Sequence, residues 1–101
     1  MTPAPATIPR ARDRSYLLEP LRDGCGCRIG GYRATVGGRE QARRDDAPAL
    51  AAWLLGDATG QAPSPELTQA WVDLHAARLA RGCVVWAGDV RAWCEGRAAC
   101  R

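Results

Sequence analysis

The sequence predicts an α+β fold: a small antiparallel sheet, made of an N-terminal strand and hairpin and a C-terminal hairpin, packed on two helices. Three observations predict it. Residues alternate apolar and polar around the pair Gly37-Gly38. Two later stretches place apolar residues at helical spacing, each behind a capping side chain and ahead of a glycine. A third segment alternates again around Gly88-Asp89. With 101 residues the chain has the size of one ordinary domain, long enough to bury a core without a staple. Residues 15–101 are read as that domain. Residues 1–14 are read as a flexible arm, because Pro3, Pro5 and Pro9 interrupt regular structure and Arg10, Arg12 and Arg14 add charge with few apolar anchors.

Taken in order, Tyr16-Leu17-Leu18 is a short strand that Pro20, lacking a backbone donor, ends or confines to an edge. Asp23-Gly24 marks a turn. In the first hairpin Tyr32, Ala34 and Val36 share one face and Arg33 and Thr35 the other. A two-residue loop at Gly37-Gly38 would put Arg39, Gln41 and Arg43 on the apolar face. A three-residue loop puts Ala42 opposite Ala34, buries less charge and is preferred.

Asp45-Asp46 caps the first helix, Pro48 is tolerated in its first turn, Leu50, Trp53 and Leu54 form its stripe, and Gly56 ends it, with residues 57–63 as a loop. In the second helix Ser64 is the N-cap and Pro65 the first residue. Leu67, Ala70, Trp71, Leu74 and Ala77 repeat at helical spacing, Val72 and Leu79 widen the arc, and Gly82 stops it. The last segment reads as a hairpin, Cys83-Val84-Val85-Trp86-Ala87 returning as Val90-Arg91-Ala92-Trp93-Cys94. Cys83 then faces Cys94, and Val84, Trp86, Arg91 and Trp93 share a face. A rival reading makes 89–99 a short helix capped by Asp89, with Val90, Trp93 and Cys94 at i, i+3 and i+4.

The chain has a formal net charge of +3, and all its basic residues are Arg. Arg, Ala, Gly and Pro codons are favoured together by a GC-rich genome, so composition alone does not demand an anionic partner. The distribution is uneven: nine Arg against four acids in residues 1–44, a net of +5, and five Arg against seven acids in residues 45–101, a net of −2. No stretch reaches membrane-span length and the Pro-rich start lacks a secretory h-region, so the expected setting is the reducing cytoplasm.

Five cysteines and one histidine are the chemistry-bearing residues. A zinc site would draw on Cys25, Cys27, Cys83 and Cys94, but their spacing lacks paired Cys-x-x-Cys knuckles, and free thiols behaving as small hydrophobes are the simpler reading. The Cys25-Gly26-Cys27 pair lies in a Gly-rich turn rather than at a redox helix N-terminus. His75 lies beside the apolar arc of the second helix, where a lone histidine is more often structural than a base. No cofactor is expected, and no catalytic constellation stands out.

The expected function is that of a small non-enzymatic accessory or regulatory protein that docks on a protein or nucleoprotein complex, of the kind encoded by bacterial, phage or plasmid genomes. Its partner-binding residues are expected to be Arg33, Arg39, Arg43, Arg44, Trp86, Arg91 and Trp93, since Trp and Arg are enriched in binding hot spots. The alternatives are direct nucleic-acid binding through the Arg-rich N-terminal half and a small zinc-binding or redox cysteine protein.

Overall fold

The computed structural model describes residues 14–99. In chain order the elements are β1 (Ser15–Arg22), β2 (Ile29–Val36), β3 (Arg39–Arg44), α1 (Ala47–Thr59), α2 (Pro65–Arg81), β4 (Cys83–Trp86) and α3 (Ala87–Ala99). The four strands form one antiparallel sheet in the order β3-β2-β1-β4. The α+β class and the N-terminal strand and hairpin stand as the sequence predicts. The flexible arm expected at the N-terminus lies, up to residue 13, outside the described residues.

The period-two pattern decides the layering. Tyr16 and Leu18 on β1, Ala34 on β2, Ala42 on β3 and Val85 on β4 are buried on one face. The helices supply Leu50, Leu54, Leu55, Trp71, Val72, Leu79 and Val90 to the same core. Trp71, only 2% exposed, is the largest side chain in it.

The β2–β3 hairpin combines both loop readings. Val36 pairs with Arg39, so the loop is the two residues Gly37 and Gly38, with φ of 60° and 82°. Positive φ at both positions is what a type I′ turn requires. A bulge then leaves Gln41 as an extra residue, and Ala42 falls opposite Ala34. The preferred pairing is therefore present, but the bulge, not a longer loop, brings it about: it sets Ala42 rather than Gln41 against the core, while Arg39 and Arg44 stay on that side of the sheet beside Val36 and Tyr32.

Strand β1 runs through Pro20 to Arg22 instead of stopping. Its pairing with β4 ends at Leu18, so from Glu19 onward only β2 remains beside it. Pro20 thus sits where no ladder bond is asked of its nitrogen on the β4 side. Helix α1 passes Gly56 and ends at Thr59, with Gly60 in the left-handed conformation at φ 82°. A helical glycine costs only about 1 kcal/mol, and Leu55 and Ala58, both buried, hold the last turn against the core. The caps are as predicted: Asp46 accepts from the Ala49 amide at 2.8 Å and Ser64 from the Leu67 amide at 3.0 Å. On α2 the buried line is Thr68, Trp71, Val72 and Leu79, while Leu74 is 61% exposed and Ala77 exposed. The apolar arc is turned toward the residues that seemed merely to widen it.

The C-terminal hairpin does not form. Residues 87–99 are helical, as the rival reading had it, giving three helices rather than two. Strand β4 takes its partner from β1, Tyr16 opposite Val85 and Leu18 opposite Cys83, so its backbone needs no return strand. The helix buries Ala87 and Val90 and packs Trp93 and Cys94 against the core, which the 3.6-residue period allows.

Candidate interaction surface

The helices contact the sheet on the core face. On the opposite face strand alternation places Ser15, Leu17 and Glu19 of β1, Arg33 and Thr35 of β2, Glu40 and Arg43 of β3, and Val84 and Trp86 of β4. No described helix covers these residues. Leu17 and Val84 lie directly opposite one another, 38% and 50% exposed. Trp86, half-buried, follows two residues along β4, opposite Ser15. The face therefore carries an aliphatic and aromatic patch at its β1–β4 end.

The β2–β3 end carries charge that is matched in place. Arg33 donates from Nε to Glu19 Oε1 at 3.0 Å across the strands. Arg43 grips Glu40 with two bonds, 3.1 Å and 2.8 Å. That fork lowers the Glu40 carboxyl below its ordinary value and raises the Arg43 guanidinium. The basic surface expected from Arg33, Arg39, Arg43 and Arg44 is divided. Arg33 and Arg43 lie on the open face, each with a carboxylate. Arg39 and Arg44 pair with Val36 and Tyr32 and so belong to the other side of the sheet. Alternation within β3 separates residues that adjacency in sequence suggested would act together.

The Trp86, Arg91 and Trp93 set is divided in the same way, because it depended on the absent hairpin. Trp86 ends β4 on the open face, while Arg91 and Trp93 lie on α3. Arg91 donates to the Ala58 carbonyl at 3.3 Å, and Trp93 is half-buried with the Arg97 guanidinium 5.1 Å from its ring centre. Leu17, which sequence reading left in a short strand, is the residue that completes the patch. The unbroken apolar run Tyr16-Leu17-Leu18, which puts an apolar side chain on each face of a strand, was the signal for it.

The four cysteines considered for zinc do not converge: among the described residues no group of three His, Cys, Asp or Glu side chains is placed to hold a metal ion. With residues 87–99 helical, Cys94 is not the cross-strand neighbour of Cys83. Burial pushes both thiols above their ordinary value. Cys94 lines, with Leu55, Leu67, Arg91 and Glu95, a cavity of about 360 Å³ between α1, α2 and α3. Cys25 and Cys27 are exposed in the loop between β1 and β2, where the neighbouring Cys27 thiol and then the Asp23 carboxylate push the Cys25 thiol up. His75 donates from Nδ1 to the Trp71 carbonyl at 2.9 Å and stacks on the Trp71 ring, 4.2 Å between centres. These contacts fit the structural role expected of it.

No described helix is long and apolar enough to cross a membrane. The chain matches no protein-family model, no curated protein and no solved structure.

Proposed function

We infer that this protein works by docking, through the open face of its sheet, on a larger protein that presents an apolar and uncharged surface. The observation that carries this reading is the exposed Leu17–Val84 pair beside Trp86 on a face that no described helix covers. Scattered apolar residues on a surface are ordinary, but adjacent ones around a tryptophan are what binding hot spots are made of. The neighbouring charges do not oppose such a partner, because Glu19 with Arg33 and Glu40 with Arg43 already sum to zero.

Size limits the contact. Four strands of up to eight residues make a face of roughly 25 by 19 Å, about 500 Å². A standard interface takes about 800 Å² from each partner. The partner must therefore reach past the sheet onto a flanking edge, or the complex is transient. Acting as a regulator or inhibitor that occupies a partner's surface in the cytoplasm fits this geometry without any chemistry of its own.

The test is an affinity capture from the source organism with the intact chain, Leu17→Glu/Val84→Glu and Arg39→Glu/Arg44→Glu side by side. A protein retained by the intact chain and by the arginine variant, but lost with the first pair, supports the reading. Retention that survives Leu17→Glu/Val84→Glu defeats it. So does retention abolished by nuclease and by Arg39→Glu/Arg44→Glu, which is the outcome a nucleic-acid binder gives.

A further inference from the structure

The loop joining β1 to β2 is organised around two thiols that neither the fold nor the open face uses. Asp23 closes it: its amide donates to the Arg28 carbonyl at 3.0 Å, and its carbonyl accepts from the Gly26 amide at 2.9 Å. Its carboxylate Oδ1 accepts from the Cys25 thiol at 3.1 Å and from the Cys27 amide at 3.2 Å. The Cys27 thiol in turn folds back to the Cys25 carbonyl at 3.6 Å. Gly26 holds φ at 75°, which lets the chain reverse between the two cysteines. Both cysteines are exposed, and a side-chain carbon built on Gly24 or Gly26 would meet no atom within 4 Å. The two sulfurs thus sit at an open loop tip, drawn toward one turn by a shared set of hydrogen bonds.

A site with two sulfur donors, a hard carboxylate oxygen beside them and no third sulfur or imidazole among the described residues selects its occupant. Zinc asks for four ligands, and none of the described residues completes even a group of three. Hard cations such as Mg²⁺ and Ca²⁺ ask for oxygen cages. A soft monovalent d¹⁰ cation is satisfied by two thiolates in a line, and thiolate sulfur is the ligand that favours Cu(I). We propose that the Cys25-Gly26-Cys27 loop is a two-thiolate site for a soft monovalent cation, Cu(I) in the first place. Binding replaces the two thiol protons with one cation and releases both protons to solvent. It also ends the Cys25 donation to Asp23, leaving that carboxylate to its amide partners.

The test is an anaerobic titration of the full chain, reduced, with Cu(I) delivered from and competed by a chromogenic Cu(I) chelator. Cys25→Ser, Cys27→Ser, Cys83→Ser, Cys94→Ser and Cys100→Ser are titrated in parallel. The expected result is one Cu(I) per chain, with affinity falling more than about 100-fold in Cys25→Ser and in Cys27→Ser, beyond what losing an outer-shell partner costs. The other three variants should keep the affinity. Circular dichroism on each variant establishes that it folds, with Cys25→Ala and Cys27→Ala as substitutes where the serine variants do not. Four results would overturn the proposal: copper retained without Cys25 or Cys27, copper binding that needs Cys83, Cys94 or Cys100, a stoichiometry of one metal per two chains, or Zn²⁺ competing at equal affinity.

Discussion

The Tyr16 hydroxyl donates to Asp57 Oδ2 at 2.5 Å, joining β1 to the last turn of α1 across 41 positions of sequence. Tyr16 is fully buried, its ring meets Trp53 edge-on at 5.8 Å between centres, and Arg14 lies 3.4 Å from the same carboxylate oxygen. Sheet and helix layer are thereby locked at the position where β1 runs beside β4. A hydrogen bond to a charged group is worth about 1.5–3 kcal/mol. Tyr16→Phe keeps the ring and removes only this bond, so urea denaturation should show a loss of about 2 kcal/mol. A variant as stable as the native chain would show that Asp57 is equally well served by Arg14 and water.

The same bond sets a pH dependence. Burial first, and then the Asp57 carboxylate, hold the Tyr16 phenol well above the ordinary tyrosine range. The folded chain therefore keeps a proton that the unfolded chain releases near pH 10, and stability must fall as pH rises above about 10. Below that pH both states hold the proton and the contribution is complete. Unfolding measured at about pH 9 and about pH 11 should show a drop in the native chain. The drop should be smaller in Tyr16→Phe, which has no such phenol to ionise.

Backbone proximity makes a sharper demand at Gly31. A side-chain carbon there would lie 2.8 Å from the Arg44 carbonyl oxygen and 3.7 Å from the Asp45 Cα, atoms that cannot swing aside. Gly31→Ala should cost about 1–3 kcal/mol as an overpacking change. Gly24→Ala, in open space, should stay within about 0.5 kcal/mol of the native value. Equal effects at both sites would contradict the close approach of β2 to the end of β3.

The tryptophans should separate by role. Trp71 is 2% exposed beneath the sheet, and Trp71→Ala should cost about 3–5 kcal/mol. Trp86 is half-buried on the open face, and Trp86→Ala should cost less than about 2 kcal/mol. Thermal melts of the two variants make the comparison, and a Trp86→Ala variant that fails to fold would place that side chain in the core.

What could be read from the sequence was local chemistry. Ser64 with Pro65, Asp46 and the Gly37-Gly38 pair fix their elements through bonds within a few residues, so the caps and the place of the turn stand as predicted, while the preferred three-residue loop gives way to a two-residue loop and a bulge. What could not be read was which strand β4 would choose. Val84-Val85-Trp86 suits any antiparallel partner, and Gly88-Asp89 is as acceptable in the first turn of a helix as in a tight turn. The choice of β1 over residues 90–94 is a long-range matter decided by the core, where Val85 joins Tyr16 and Val90 is buried from the helix. Everything inferred about the far hairpin strand followed it: the Cys83–Cys94 pairing and the shared face of Trp86, Arg91 and Trp93. The arginine quartet divided for a related reason, since the bulge at Gln41 and the pleat of β3, not proximity in sequence, decide which side each guanidinium takes.

Partners are expected to approach the Leu17–Val84–Trp86 face. This is tested most directly by placing a photo-crosslinking side chain at Val84 in one version of the chain and at Leu74 in another. Leu74 is the more exposed of the two, at 61% against 50%, but stands alone on α2. Irradiated in the source organism, the Val84 version should yield a discrete crosslinked protein, and Leu17→Glu introduced beside it should abolish the product. A product from the Leu74 version only, or one from Val84 that Leu17→Glu leaves intact, would contradict the account.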